Sequence, residues 1–158
     1  MAADSATLST TIHAFGSYAG RTYFRTFFQS RLHTEDVPEQ FTDAQKKRLG
    51  EDFDIMMKYL KRAHDKGVKI VIGTDCMDGG KAMISEMLLM YEAGFSINDI
   101  LQIATINGAT SMDLGNKYGS LKPGKKANLV IFDKNPFDNY KNFLSEKIVV
   151  KDGKVYKK

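Results

Sequence analysis

Between Leu49 and Ala63 the apolar positions recur at three- and four-residue steps (Leu49, Phe53, Met56, Met57, Leu60, Ala63), the period of one helix face. Thr42 to Gln45 (TDAQ) fits a capping box at the start of that pattern and Gly67 a stop at its end, which predicts a helix over 43–66. Val68, Ile70, Val71 and Ile72 follow as a β-branched run, the composition of a strand buried on both faces. A helix feeding such a strand is half of a parallel α/β unit. Gly79 and Gly80 then break the chain before a second predicted helix, Lys81 to Ala93, closed by Gly94. In it Met83, Met87 and Tyr91 form one stripe and Ile84 with Leu88 a neighbouring one, a methionine-rich pattern that reads as core. Ser96 to Asp99 (SIND) starts a third helix with Ile100, Leu101, Ile103 and Ala104 on its buried face and Gly115 just past its end.

After Gly115 the pattern changes to short strands. Leu121 to Gly124 (LKPG) reads as a turn, Asn128 to Phe132 as an apolar strand, and Asp133 to Pro136 as another turn. Lys147–Lys151 and Lys154–Lys157 flank Asp152-Gly153, a strong two-residue hairpin signal. At the other end, Ala6 to Ile12 has the composition of a short strand. An aromatic segment with Phe15, Tyr18, Tyr23, Phe24, Phe27 and Phe28 follows, interleaved with Arg21, Arg25 and Arg31. Aromatics among arginines can stack single-stranded bases or lie on a membrane surface. The i,i+4 spacing of Tyr23 with Phe27 and Phe24 with Phe28 favours a packing helix instead. Residues 31–41 read as a loop. The expected organisation is an α/β part over 1–115 and an appended β element over 116–158.

Composition narrows the functional classes. The net charge of +4 is mild and the basic residues are scattered, so nucleic acid is not implied. Lysines concentrated in the last eighteen residues suit a solvated strand edge. The single cysteine, Cys76, permits no internal disulfide. No signal peptide and no membrane-spanning stretch is expected, which makes the cytoplasm the default compartment.

Asp75 draws attention first, because it follows a buried strand at the carboxyl end, where an acid is costly unless it binds a metal, a proton or a substrate. The competing reading is that it caps the turn that follows, and position alone leaves both open.

Taken together, the helix ending AHDKGV, the strand VKIVIGTD, and the segments SEMLLMYEAGFSINDILQIATINGAT, GSLKPGKKANLVIFDKNP and VVKDGKVY resemble the carboxyl-terminal end of metal-dependent amidohydrolases of the imidazolonepropionase and Xaa-Pro dipeptidase type. The resemblance runs from about Ala63 to Tyr156, with Ala6 to Leu8 as a weaker match to the seventh strand of the family barrel. It implies the last one or two βα units of a (β/α)8 TIM barrel and a small C-terminal β-sandwich element. It also implies hydrolysis of a carbon–nitrogen bond in a small amide or dipeptide, with a divalent metal, zinc foremost. By resemblance Asp75 is both the metal ligand and the catalytic base that takes a proton from metal-bound water. The family's HxH motif, its later metal histidines and its first six barrel strands have no counterpart here. His64 suits the dipole at its helix end, His33 a solvated loop, and His13 a place facing a pocket. Cys76 reads as a bystander. A hydrolytic zinc site needs about three protein ligands. With one credible donor, the chain alone should bind catalytic metal poorly, and a complementary chain or homo-oligomer is expected to complete the site. The alternative is a non-catalytic remnant or interaction module that keeps the fold and has lost the chemistry.

Overall fold

A computed structural model of the chain describes residues 6–24, 41–76 and 78–157. The chain divides into two compact units, residues 1–95 and 96–158.

The first unit is α/β. Strand β1 (Thr7–Thr10) lies parallel to β2 (Lys69–Ile72), with Thr7 opposite Lys69 and Thr10 opposite Ile72. The strand predicted to reach Ile12 stops at Thr10, and Ile12 instead opens helix α1 (Ile12–Tyr18). Its N-cap, Thr11, makes no side-chain cap, so nothing local in the sequence marks this start. Tyr23 and Phe24 lie beyond α1 in irregular backbone, and their helix-spaced partners Phe27 and Phe28, like all but the last residue of the loop expected over 31–41, fall outside the described residues. Helix α2 (Asp43–Asp65) begins with the expected capping box: the Gln45 amide donates to the Thr42 hydroxyl, and the Thr42 amide donates to Gln45 Oε1 at 2.9 Å. Gly67, at φ +85°, closes it. Phe53, Met57 and Leu60 form its buried face, with Leu49, Met56 and Ala63 half-exposed beside them.

Helix α3 (Gly79–Glu92) is capped by Asp78, whose carboxylate accepts the Lys81 amide. The two-stripe pattern expected for it is broader in the structure. All six residues from Ser85 to Met90 are buried, whereas Tyr91 is exposed, so the helix is enclosed on nearly every side. In β2, neighbours Ile70 and Val71 point to opposite faces and are both buried, as expected for a strand covered on both sides.

The second unit opens with Ser96, which accepts the Asp99 amide at 3.1 Å and starts α4 (Ile97–Gln102). The helix widens into a π-turn over Ile103–Asn107 before a last turn, α5 (Gly108–Ser111). Hydroxyls that bond back to helix carbonyls, Thr105 to Leu101 at 2.5 Å and Thr110 to Ile106 at 2.9 Å, accompany the widening. Pro123 and Gly124 occupy the centre of a turn closed by the Lys125 amide on Lys122 O, with Gly124 at φ +85° as a type II turn requires. An antiparallel sheet of three strands completes the unit: β3 (Leu129–Phe132), β4 (Lys147–Lys151) and β5 (Lys154–Lys157). Asp152 and Gly153 both have positive φ, 48° and 77°, the two-residue hairpin turn that the dipeptide predicts. A 3-10 helix over Tyr140–Leu144 places Phe143 under the sheet, its ring 5.6 Å from that of Phe132.

Candidate functional site

Asp75 stands just past the carboxyl end of β2, in the left-handed region at φ +47°, and is exposed. Among the described residues no hydrogen bond or ion pair holds its carboxylate. The task of capping α3 falls to Asp78 instead, whose carboxyl the Lys81 ammonium, at 3.0 Å, and the Lys81 amide hold below the usual range. Gly73 sets the approach to this corner. A Cβ there would lie 2.4 Å from Ser9 Oγ and 2.5 Å from Thr10 O, so a side chain would push the ends of β1 and β2 apart.

The buried polar groups of the unit gather at the same end of the strands. Thr10, the last residue of β1, donates its hydroxyl to Glu86 Oε2 at 2.6 Å, and the His13 amide donates to Glu86 Oε1 at 2.7 Å. Glu86 thus satisfies from α3 an amide that the first turn of α1 leaves open. Thr10, His13, Ser85 and Glu86 are all buried. Burial pushes the Glu86 carboxyl up to about 7, against the pull of the Thr10 hydroxyl and the His13 and Ile12 amides. Burial also lowers His13 from its ordinary value, and among the described residues neither of its ring nitrogens has a hydrogen-bond partner. Sequence reasoning passed over Glu86. The available signal was an acid set directly before Met87-Leu88-Leu89-Met90, where a helix apolar on all sides leaves it no route to water.

The other candidates are scattered. His64 sits in the last turn of α2 with its ring centroid 5.0 Å from that of Phe95, a packing role at a helix end. His33 falls outside the described residues, and Cys76 is half-buried beside Asp75. A cleft of about 500 Å³ opens over Phe53, Met57 and Leu89, with Arg21, Asp54 and Glu92 at its edges. It is built from helices and the segment after α1, and Asp75 does not line it.

Comparison with known proteins identifies the family of the chain. The pattern of the amidohydrolase family matches residues 53–156, well over half of the chain. The chain belongs to the amidohydrolase family.

Among amidohydrolases, an imidazolonepropionase from Geobacillus kaustophilus is 35% identical over 113 residues, covering 61% of this chain and 26% of that protein. One from Brevibacillus brevis is 38% identical over 73 residues, covering 44% and 17%. Among solved structures, a Xaa-Pro dipeptidase with methionine bound in its active site superposes with a TM-score of 0.69 at 25% identity, over 96% of this chain and 34% of that one. The ochratoxinase of A. niger gives 0.65 at 21% identity, over 96% and 32%, a likeness of fold. This amidohydrolase chain therefore spans between about a sixth and a third of the relatives it matches. The family generally uses divalent metals. Among the described residues no three His, Cys, Asp or Glu side chains converge to hold one, and Asp75 is a single exposed donor. These residues do not fit a hydrolytic metal unaided.

Proposed function

We propose that this chain is the carboxyl-terminal portion of a hydrolase that cleaves carbon–nitrogen bonds in small cyclic amides or dipeptides. Residues 1–115 act as its last barrel units and 116–158 as its part of a composite β-sandwich, with Asp75 contributed to an active site completed by another polypeptide or a further copy. The family match over 53–156 carries this reading. The parallel pairing of β1 with β2, with Asp75 directly beyond the carboxyl end of β2, supports it. In the completed assembly Asp75 would offer a carboxylate to a divalent metal, which would supply an activated water, and the same carboxylate would accept a proton from that water. Its exposure leaves it open to such a partner. The same exposure is the observation that favours the second reading, a fold remnant that binds a partner without chemistry.

Elemental analysis separates the two. Zinc measured on the purified chain, alone and mixed with a polypeptide carrying the family's first six barrel strands, is expected to be retained in the mixture at one or more equivalents and to be lost with Asp75→Ala. A mixture that forms a complex but retains no metal supports the remnant instead.

A further inference from the structure

We propose that the Glu86 carboxyl is a proton-dependent clasp between the start of α1 and α3, one that adds to the stability of the fold while it carries its proton and loses that contribution when it ionises. Its two oxygens accept from the Thr10 hydroxyl at 2.6 Å and the His13 amide at 2.7 Å, with the Ile12 amide also turned to the carboxyl, and relative exposure is 4% at Thr10 and 0% at both His13 and Glu86. The heavy-atom contacts of this partner set can be kept in either charge state. In the neutral form Oε2–H donates to Thr10 Oγ1, which can accept as well as donate, while Oε1 goes on accepting from the His13 amide. Only the charge changes, and it changes where water does not reach.

Among the described residues no counter-ion faces that charge. From α1 the titratable group at the clasp is His13, and Tyr18 of the same helix is exposed. Strand β1 contributes hydroxyls and Leu8, and Lys69, the charged residue of β2, pairs with Thr7 at the opposite end from Thr10. Helix α2, packed against α1, turns Phe53, Met57 and Leu60 inward and leaves Asp54 and Lys58 exposed. On α3 itself Lys81 and Glu92 are exposed. Burial lowers His13, so its imidazole stays neutral near pH 7 and supplies no compensation.

The direction follows from linkage. With its carboxyl raised from 4.5 to about 7, the folded chain keeps a proton that the unfolded chain has already released. The stabilisation is therefore full below the unfolded value and is lost as pH rises through about 7. His13 acts in the opposite sense, removing stability as pH falls below its ordinary 6.5. A difference between variants is needed to isolate the clasp.

The test is urea unfolding of the full chain and of Glu86→Gln, which keeps the shape and the acceptor oxygen, from about pH 5 to about pH 8. The unfolding constant of the wild type relative to the variant is expected to rise on the order of a hundredfold across that range. A ratio that stays constant overturns the proposal. Should Glu86→Gln fail to fold, infrared spectra of the wild type give the same answer. A neutral carboxyl band that persists near pH 6 and vanishes near pH 8 is expected, and its absence near pH 6 overturns the clasp.

Discussion

The two units treat the same kind of residue in opposite ways. In the first, Ile70 and Val71 are strand neighbours on opposite faces and are 0% and 9% exposed. In the second, Val130 and Ile131 are also strand neighbours on opposite faces, and they are 48% and 49% exposed. The register of the three-stranded sheet sets Leu129 against Val150 and Ile131 against Ile148, with Val155 beyond Val150, an apolar ladder on one face. The opposite face carries Phe132, which rests on the buried Phe143. Equal composition thus does not mean equal burial. A β-branched run states that a strand is suited to a covered surface, and what covers it is decided elsewhere. In the proposed reading the uncovered ladder belongs to a composite sandwich that this chain builds only in part.

That contrast can be broken by substitution. Leu88→Ala, at a side chain with no exposure, is expected to destabilise by about 2–5 kcal/mol, measured by urea unfolding. Val155→Ala, in the exposed ladder, is expected to stay within about 0.5 kcal/mol in the same measurement. Equal losses at the two positions would show that the sheet face is covered after all. Between these extremes lies Gly153→Ala, which places a Cβ at φ +77° in the hairpin turn and has Ala127 Cβ only at ordinary contact distance, 4.0 Å. Here the backbone alone sets the penalty, about 1 kcal/mol or somewhat more, read from the thermal midpoint. No loss would mean that the turn readily adopts another type.

Legibility in the sequence divides along a related line. Whatever is decided within a few residues was readable: the Thr42–Gln45 capping box, the stop at Gly67, the turn at Pro123-Gly124 and the hairpin at Asp152-Gly153. Each is a side chain or a φ value acting on its own backbone. Helix α1 was not readable, because the carboxyl that satisfies its first turn comes from Glu86, seventy-three positions away from His13. The π-turn over Ile103–Asn107 was likewise hidden, since threonine hydroxyls bonding back to carbonyls leave the apolar pattern of the helix unchanged. Asp75 stands out in the sequence by place and by resemblance alone. Its left-handed φ and its exposure belong to the loop beyond β2, and no periodicity records them.

The central claim rests on the Asp75 carboxylate, and turnover by the completed assembly tests it most directly. With the chain joined to its complementing polypeptide, Asp75→Asn should leave the circular dichroism spectrum and complex formation unchanged. Hydrolysis of an imidazolone or Xaa-Pro substrate should fall by about two to four powers of ten. Turnover equal to that of the unaltered assembly would contradict the account.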